Sequence, residues 1–429
     1  MIHTVSPALE LSGELCVPAD KSIAQRAALF SLLCEQPCTI EGYPLAEDPQ
    51  TALRCIELLG AGIHREGSTV HIEGTGRSGL PGEISEIDCG NSGTVMRLLA
   101  GILAGGCVAT RLTGDASLSR RPMGRIMEPL KRMGAGVRSA PEGRPPLHID
   151  AGKPLSALCF EMPVPSAQLK SAVLLAGLFT DEPTVVVESL PSRNHTELML
   201  QLPVEKRAGL TRITSHRNLG IPVQNLFIPG DFSSAAFWMV AATIVPGSDV
   251  LIRNCGLNPS RSAAMGLLRR MGADITVHQP RRQGHEPVGD IRVRSSDLRP
   301  VEVTPQEIAN AIDELPVLFV AMAFADGMSS VRGAGELRIK ESDRLDAMHS
   351  VLQSAGIPSI IHPDGIDIPG ASQRTISAAD YDSRHDHRIA MAAAILSLRA
   401  DGPSRIHGAD AASVSYAGFW NDLTNLTAS

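Results

Sequence analysis

The stretch GNSGTVMRLLAGILAGG (90–106) places a small polar turn directly before a long apolar segment with helical spacing. The same arrangement recurs five more times, with the apolar segments AQRAALFSLL (24–33), LKSAVLLAGL (169–178), AAFWMVAATI (235–244), LPVLFVAMAFADG (315–327) and IAMAAAILSLRADG (389–402). The polar clusters that precede these segments lie about 65 to 80 residues apart, which is longer than a solenoid repeat. The pattern predicts six repeated units that contain both helices and strands.

A second signature supports the same repeat. Four helical patterns end in a small turn and re-enter a strand pattern: ELLGAGI (57–63), LKRMGAGV (130–137), LLRRMGADITV (267–277) and VLQSAGIPSII (351–361). Glycine at a helix end accepts the left-handed conformation that a C-cap requires. Since 429 residues with 43% apolar side chains are ample for two cores, six units fit two domains of three.

Composition and charge exclude several classes of protein. The formal net charge is −7 and aromatic residues make up 3% of the chain, so neither a basic surplus nor a stacking platform for nucleic acid is present. No apolar run reaches the roughly 18 residues of a membrane span, and the N-terminal sequence lacks a signal-peptide pattern. The eight cysteines lack metal-site spacing and are expected to be buried reduced thiols. We expect a soluble, cytoplasmic protein with no nucleic-acid or membrane partner.

Cationic residues gather near the starts of the apolar helices. They are Lys21, Arg26, Arg121, Arg193, Lys340, Arg344 and Arg388. Taken alone, each is better explained as a solvated surface charge. However, Lys340 and Arg344 share a face if their segment is helical, as do Arg121 and Arg125 if Pro122 opens a helix, and like charges so placed are unfavourable unless an anion lies between them. Together with the positive ends of the helices, the clusters predict sites for phosphate or carboxylate groups.

Carboxylates flank these cationic clusters and suggest an enzyme that handles two phosphorylated substrates. Asp313 and Glu341 are the acid–base candidates, because each lies beside a segment with anion-binding groups. Asp313 is also compatible with a helix N-cap, and Glu341 with an ordinary salt bridge. Spacing leaves both alternatives open.

Seven motifs can be picked out along the chain. They are Asp20-Lys21-Ser22 with Arg26, Gly90 to Thr94 with Met96-Arg97, Leu112 to Asp115 through Arg121-Pro122, Ser166 to Ser171, Gly230-Asp231 with Ser233 to Ala236, Leu337 to Arg344, and Asp386-His387-Arg388. In this order they closely resemble the 5-enolpyruvylshikimate-3-phosphate synthase family. The resemblance implies transfer of the enolpyruvyl group of phosphoenolpyruvate to the 5-hydroxyl of shikimate 3-phosphate, with release of phosphate, in the biosynthesis of chorismate and aromatic amino acids.

The resemblance also implies a fold. In the enolpyruvyl transferases this is a two-domain inside-out α/β barrel with six βαβαββ repeats, three per domain, helices inside and sheets outside. We expect one domain at 19–229 and a second at 1–18 plus 230–429, with the active site in the cleft between them. No cofactor, no metal and a monomeric state are implied.

For the site, the resemblance implies that Asp313 is the base on the 5-hydroxyl, while Glu341 and Lys21 move protons to and from the methylene of phosphoenolpyruvate. The residues that match positions around phosphoenolpyruvate are Lys21, Gly93, Arg121, Gln168, Arg344 and Arg388. Those that match positions around shikimate 3-phosphate are Lys21, Ser22, Arg26, Ser166, Ala167, Gln168, Arg193, Asp313 and Lys340. Gly93 implies sensitivity to glyphosate, which competes for the phosphoenolpyruvate pocket, whereas Leu98, where many members carry proline, leaves that sensitivity open. For His195 a structural role is expected.

Three positions depart from the family pattern. Ala19 replaces a usual glycine, Asn194 a usual aspartate, and Val414 lies where some members supply a lysine to phosphoenolpyruvate. These departures keep open a non-catalytic phospho-ligand binding protein of the same fold. A second alternative is a UDP-N-acetylglucosamine enolpyruvyl transferase, although segment 114–124 lacks the reactive cysteine usual in that enzyme.

Overall fold

The computed structural model describes residues 1–152, 154–283, 285–372 and 374–427. The strands are β1 (Ile2–Val5), β2 (Ser12–Cys16), β3 (Cys38–Glu41), β4 (Gly62–Glu66), β5 (Thr69–Glu73), β6 (Glu83–Asp88), β7 (Ala109–Thr113), β8 (Val137–Ala140), β9 (Arg144–Ile149), β10 (Cys159–Glu161), β11 (Thr184–Glu188), β12 (Val204–Arg207), β13 (Leu210–Ser215), β14 (Asn225–Phe227), β15 (Asp249–Gly256), β16 (Asp274–Gln283), β17 (Glu286–Arg294), β18 (Glu302–Val303), β19 (Gly327–Val331), β20 (Ile360–His362), β21 (Gly365–Gly370), β22 (Asp380–Asp382) and β23 (Ser404–His407).

The α-helices alternate with these strands. They are α1 (Lys21–Leu32), α2 (Glu47–Leu58), α3 (Gly93–Gly105), α4 (Gly124–Arg132), α5 (Ala167–Gly177), α6 (His195–Met199), α7 (Phe232–Ile244), α8 (Ala263–Arg270), α9 (Pro305–Ala311), α10 (Leu315–Ala323), α11 (Arg344–Ser354), α12 (His387–Ser397) and α13 (Phe419–Thr427). Short 3₁₀ turns form at Leu118–Arg120, Pro141–Gly143, Gly335–Ile339 and Ala409–Val414.

The chain divides into two compact units. The N-terminal unit consists of Ala19–Ile228 with Arg282–Glu286, and the C-terminal unit of Met1–Pro18, Pro229–Arg281 and Pro287–Ser429. The main passages of the chain between them therefore follow Pro18 and Ile228.

The N-terminal unit contains three four-stranded sheets with one common order. The orders are β14-β3-β5-β4, β6-β7-β9-β8 and β10-β11-β13-β12. In each sheet the first two strands are parallel and the other neighbours antiparallel. A parallel pair needs a crossover connection, which α3 and α5 supply in the second and third sheets.

The C-terminal unit repeats this pattern with one variation. Two of its sheets have the orders β16-β17-β15-β2 and β18-β19-β21-β20, whereas the sixth, β1-β23-β22, has three strands. Strand β2 pairs in parallel with β15, and β1 pairs antiparallel with β23. Strands β1 and β2 therefore complete two sheets whose other strands lie more than 200 residues later in the chain. In the three-stranded sheet, β1 occupies the position that two antiparallel strands occupy in the four-stranded sheets.

Three helices form the centre of each unit: α1, α3 and α5 in one, and α7, α10 and α12 in the other. All residues of α7 and α10 are buried, which explains why their sequences are apolar on every face. The sheets bury one face, as β9 illustrates: Pro145, Leu147 and Ile149 are buried, while the residues between them are more exposed. Within each unit the helices therefore lie inside and the sheets outside. In the part of the chain that the structure describes, no helix is long and apolar enough to cross a membrane.

The predicted glycine helix ends are confirmed. The glycine after each of α2, α4, α8 and α11 has a positive φ, at Gly60 (+96°), Gly134 (+100°), Gly272 (+100°) and Gly356 (+75°). Short α6 has no such glycine, and Gln201 takes a left-handed conformation there with a φ of +50°. The repeat therefore persists where its sequence signature is lost.

Two local predictions are wrong. Arg121 and Arg125 do not share a helical face, because α4 begins at Gly124 and not at Pro122. As the residue before a proline, Arg121 is extended, with φ −79° and ψ 137°. The N–H of Met123 then donates to the carbonyl of Gly143 at 2.7 Å, so the helix starts only after that contact.

Lys340 and Arg344 do not share a helical face either. A 3₁₀ turn ends at Ile339, and Lys340 is extended, with φ −80° and ψ −154°. Helix α11 starts at Arg344, where the side chain of Asp343 caps it by accepting the N–H of Asp346. The like-charge argument for an anion between these two cations therefore fails.

The cysteine prediction holds only in part. All eight cysteines are reduced thiols. Five are buried, Cys107 is half-buried, and Cys16 and Cys159 are exposed, against expectation. Both exposed cysteines lie in strands, where alternate side chains face solvent.

Candidate active site

The central helices of the N-terminal unit each begin at a polar cap. The carboxylate of Asp20 accepts the N–H groups of Ser22 (2.7 Å) and Ile23 at the start of α1. The hydroxyls of Ser92 and Ser166 accept backbone N–H groups in the first turns of α3 and α5. These caps fix the helix starts that carry the predicted ligands.

Side-chain hydrogen bonds hold the three helix starts together. Gln25 Nε2 of α1 donates to Ser92 Oγ at 3.0 Å. Gln168 Nε2 of α5 donates to Thr94 Oγ1 of α3 at 2.9 Å, and Gln168 Oε1 accepts from Arg97. Gln168 therefore holds the start of α5 against the first turns of α3.

Two predicted phosphate ligands lie at these helix starts. Lys21 is the first residue of α1, and its ammonium pairs with Asp48 at 3.4 Å while remaining about one third exposed. Arg121 donates to Asn91 Oδ1 at 2.9 Å. A Cβ on Gly93 would lie 3.0 Å from Arg97 Nη1 and 3.6 Å from Arg121 Nη1. Gly93 therefore allows two guanidinium groups to approach the start of α3.

Arg26 is buried, and its guanidinium donates hydrogen bonds to other groups of the protein. Its Nε donates to Thr196 Oγ1 at 3.0 Å and its Nη1 to the carbonyl of Ser22 at 3.1 Å. Burial, with a smaller effect from the guanidinium of Arg193, lowers the pKa of Arg26 to about 10, although Asp20 and Glu197 act in the opposite direction. Arg26 thus ties the start of α1 to α6, next to the loop that carries Arg193.

A buried ion cluster, which we call the Lys170 cluster, was not predicted from the sequence. The ammonium of Lys170 on α5 pairs with Glu188 at 2.9 Å and Glu197 at 2.6 Å, and all three side chains are at most 5% exposed. Glu188 also accepts the hydroxyl of Ser192. The signal was available, since a lysine inside an all-apolar helix pattern needs a buried partner. The cluster connects α5 to the 189–194 loop.

His195 is buried and pairs through Nδ1 with Glu286 Oε1 at 2.7 Å. Glu286 is itself 2% exposed. This contact agrees with the structural role expected for the histidine. Asn194, one of the departures, is the N-cap residue of α6 but makes no capping hydrogen bond through its side chain.

In the C-terminal unit, Arg344 is the centre of a dense set of contacts. It is 1% exposed, and its guanidinium contacts Asp386 (2.8 Å), Glu341 (2.6 Å) and Asp313 (3.7 Å). Burial lowers the pKa of Arg344, but Glu341, Asp386 and Asp313 outweigh it and raise the pKa above its ordinary value. Arg344 therefore stays charged, and it contacts both acid–base candidates, Asp313 and Glu341.

Asp313 is not a helix N-cap. The N-cap residue of α10 is Glu314, and Asp313 precedes it in a turn. One carboxylate oxygen of Asp313 lies 3.4 Å from Arg261 Nη1 and the other 3.7 Å from Arg344 Nη1. Its side chain is 20% exposed, so it is held by cations and still reachable from solvent.

Lys340 and Arg388 differ in their surroundings. The ammonium of Lys340 lies 3.7 Å from Glu336 and is 24% exposed. Arg388, near the start of α12, is 6% exposed, and its Nε–H is buried without a hydrogen-bond partner among the described residues. A buried, unsatisfied guanidinium donor is costly, which fits a group that binds an anion.

The other departures have simple surroundings. Ala19 packs against the core of the N-terminal unit. Val414 is 62% exposed at the end of a 3₁₀ turn. Near it, the buried hydroxyl of Tyr416 donates to Asp422 at 2.6 Å and accepts from Trp238 Nε1 at 3.0 Å. Segment 413–417 is therefore fixed by a core tyrosine, while Val414 offers no charge.

Relatives of known name cover the whole chain. Residues 5–423 match the family model for EPSP synthase (3-phosphoshikimate 1-carboxyvinyltransferase). The 3-phosphoshikimate 1-carboxyvinyltransferase of Salinibacter ruber is 44% identical over 436 residues and is covered over 100% of both chains. The enzyme of the same name from Solibacter usitatus is 44% identical, with 99% of this chain and 100% of the relative covered.

Solved structures agree. EPSP synthase from Acinetobacter baumannii is 37% identical and has a TM-score of 0.90, with 99% of this chain and 98% of that chain covered. The enolpyruvyl transferase NikO from Streptomyces tendae is 17% identical with a TM-score of 0.76, covering 99% and 97%, a likeness that shows the fold alone. The predicted inside-out α/β fold is confirmed, and the nucleotide-sugar alternative is not favoured. The chain belongs to the EPSP synthase family and is a 3-phosphoshikimate 1-carboxyvinyltransferase.

Proposed function

We propose that this chain joins the enolpyruvyl group of phosphoenolpyruvate to the 5-hydroxyl of shikimate 3-phosphate through the side chains that the sequence analysis singled out. The observation that carries the proposal is the contact of buried Arg344 with both Asp313 and Glu341. A cation that binds an anionic substrate is thus already in contact with a candidate base and a candidate acid.

The reaction needs two opposite proton transfers. Carbon 2 of phosphoenolpyruvate accepts the 5-oxygen only as the neighbouring methylene takes up a proton, and the hydroxyl must lose its own proton. In our proposal Asp313 accepts the hydroxyl proton, while Glu341 and Lys21 give a proton to the methylene and later remove one. Loss of phosphate from the resulting adduct, together with that second proton, re-forms the carbon–carbon double bond as the enol ether of the product.

The contacts of Glu341 suit a group that changes protonation. Its carboxylate lies 2.6 Å from Arg344 Nη2, and its side chain is 42% exposed. If phosphoenolpyruvate takes the donors of Arg344, Glu341 loses the cation that favours its charged form and can hold a proton. Arg344 is thus proposed to couple binding of phosphoenolpyruvate to the protonation of Glu341.

Anion binding is assigned to the cations and helix starts described above. Lys21, Arg121, Gln168, Arg344 and Arg388, with Gly93, are proposed to surround phosphoenolpyruvate. Arginine suits both its phosphate and its carboxylate, because the planar fork donates two parallel hydrogen bonds. The orphaned Nε–H of Arg388 supports this assignment.

Shikimate 3-phosphate is assigned to a second set, which shares two residues with the first: Lys21, Ser22, Arg26, Ser166, Ala167, Gln168, Arg193, Asp313 and Lys340. The buried hydrogen bonds of Arg26 suggest that it acts mainly by fixing the start of α1 and the turn of Thr196. Ser166 and Ala167 offer backbone and hydroxyl groups at the start of α5. No cofactor is needed in this scheme, and a single chain is proposed to suffice.

The test is phosphate release from phosphoenolpyruvate, with shikimate 3-phosphate or UDP-N-acetylglucosamine as acceptor. Release only with shikimate 3-phosphate, and its loss by about 100-fold or more in Glu341→Gln, is the expected result. Asp346→Asn on α11, the helix that follows Glu341, is the control, because Asp346 pairs with Arg384. Binding of both substrates without release would support the non-catalytic alternative, and near-normal turnover in Asp313→Asn would refute its role as base.

A further inference from the structure

Arg261 is a buried cation of the C-terminal unit to which the proposed function gives no role. It lies in the loop between β15 and α8, and 5% of the residue is exposed. Asn258 fixes this loop: its side-chain oxygen accepts the backbone N–H of Ser260 at 2.9 Å, and its carbonyl accepts the N–H of Arg261 at 2.8 Å. The backbone of Arg261 is therefore held by contacts that do not involve its side chain.

The guanidinium of Arg261 joins the starts of two central helices. Nη2 lies 3.1 Å from Asp231, whose side chain caps α7. Nη1 lies 3.4 Å from Asp313 and 3.7 Å from Glu314, which precede α10. Three carboxylates on two elements thus share one arginine.

The carboxylate of Asp313 is consequently held from two sides. Arg261 contacts Oδ2 and Arg344 contacts Oδ1. Each arginine is anchored in turn by the buried cap of a central helix, Asp231 for Arg261 and Asp386 for Arg344. Asp313 therefore lies between two arginines whose own positions are set by the starts of α7 and α12.

We propose that Arg261 is a positioning residue for the carboxylate of Asp313. The inference rests on the proposed function, in which Asp313 accepts the proton of the 5-hydroxyl. A general base works within about 2.6–3.2 Å of the proton donor, and a misplacement of about 1 Å costs about 100-fold in rate. Arg344 alone cannot hold the carboxylate of Asp313 in position, because in our proposal Arg344 also binds phosphoenolpyruvate.

The planar fork of arginine is needed for this role. It spans Asp231 and Asp313 through two different nitrogens, whereas lysine offers one compact ammonium. Arg261→Lys keeps the charge and most of the volume, so it folds more readily than Arg261→Gln and still loses one of the two contacts. We expect kcat to fall in both variants, more steeply in Arg261→Gln. The affinity for shikimate 3-phosphate, measured by calorimetry, should change much less, because Asp313 is one of nine residues assigned to that substrate.

The decisive experiment is a double-mutant cycle with Asp313→Asn. If Arg261 acts through Asp313, Arg261→Gln lowers kcat by about 100-fold in the wild-type background and by less than about threefold beside Asp313→Asn. A merely structural arginine would lower kcat by the same factor in both backgrounds, which would overturn the inference. The same cycle with Arg261→Lys gives the answer if Arg261→Gln does not fold.

Two further measurements distinguish failure of the base assignment from failure of the positioning role. Near-normal kcat in Asp313→Asn would refute the base assignment itself, whereas a large loss there with multiplicative Arg261 effects would refute only the positioning role. Arg253→Gln is the matched control, because Arg253 bridges Asp290 and Glu14 in the same unit without contacting Asp313. We expect kcat of the control to stay near that of the wild type, and a comparable loss there would overturn the inference.

Discussion

Replacement of Lys170 by methionine is the sharpest test of how the N-terminal unit is held together. The variant keeps the length of the side chain and leaves the carboxylates of Glu188 and Glu197 without their shared cation. Breaking a buried pair by removing one partner costs about 3 to 5 kcal/mol of unfolding free energy. For a unit of about 200 residues each kcal/mol lowers the melting temperature by about 2–4 °C, so we expect a fall of about 10 °C.

The pH dependence gives the prediction a second signature. Burial raises the pKa of Glu197 above its ordinary value of 4.5, and Lys170 opposes that rise. A carboxyl whose folded pKa is raised binds more protons in the folded state, so its contribution to stability falls as pH rises from about 4.5 through the folded pKa. Without Lys170 the rise is larger, and the difference in stability between variant and wild type should grow from pH 5 to pH 7.

Calorimetric melts at several pH values provide the assay. Lys131→Met serves as the control, because Lys131 is exposed on α4 and its loss should leave the melting temperature nearly unchanged. Lys170→Met/Glu197→Gln should recover part of the loss, since it removes one of the two uncompensated charges. A melting temperature of Lys170→Met within about 2 °C of the wild type at pH 7 would refute the reasoning.

Three further outcomes are expected. Gly93→Ala should weaken phosphoenolpyruvate and glyphosate binding, measured as KM and Ki, because the new Cβ would lie 3.0 Å from Arg97 Nη1; unchanged constants would contradict this. Asp249→Asn should lower the melting temperature slightly at neutral pH, because hydrogen bonds from Arg292 and Arg294 lower the pKa of Asp249 to about 2. The stability that the Asp249 carboxylate contributes is present above about pH 4 and is lost as pH falls through about 2. The melting temperatures of the variant and the wild type should therefore converge at low pH. Dialysis against EDTA should leave turnover intact, and restoration of a lost activity by Mg²⁺ would contradict the metal-free scheme.

The repeated architecture could be predicted because its signals are local. About eight consecutive residues are enough to specify a helix end followed by a left-handed glycine. Gly60, Gly134, Gly272 and Gly356 all have the positive φ that this pattern requires. The sixth sheet could not be predicted in this way. Its third strand is β1, which pairs with residues about 400 positions later, and no local pattern specifies that partner.

The candidate site was predicted in its residue types but not in its contacts. Asp313, Glu341 and Arg344 were named from motifs, yet the argument that paired Arg344 with Lys340 on a helix face was wrong, since α11 begins only at Arg344. The partners of Arg344 are Glu341 and the distant Asp313 and Asp386. Arg261 and Lys170 were not singled out from the sequence because their partners lie on other elements. The role of an arginine in a loop can be judged only when the carboxylates around it are known.

The caps at the helix starts also change how anion binding is understood. The sequence suggested that all six central helix starts attract anions through their dipoles. In the structure α1, α7 and α12 are capped by aspartates, whose negative charge offsets the positive helix end. Helix α10 follows the carboxylate of Glu314, and only α3 and α5 begin at neutral serines. Helix dipoles therefore favour anions most at Gly93 and at Ser166 to Gln168. At the aspartate-capped helices we expect the attraction to come from guanidinium groups such as Arg344, which Asp386 holds, and Arg388.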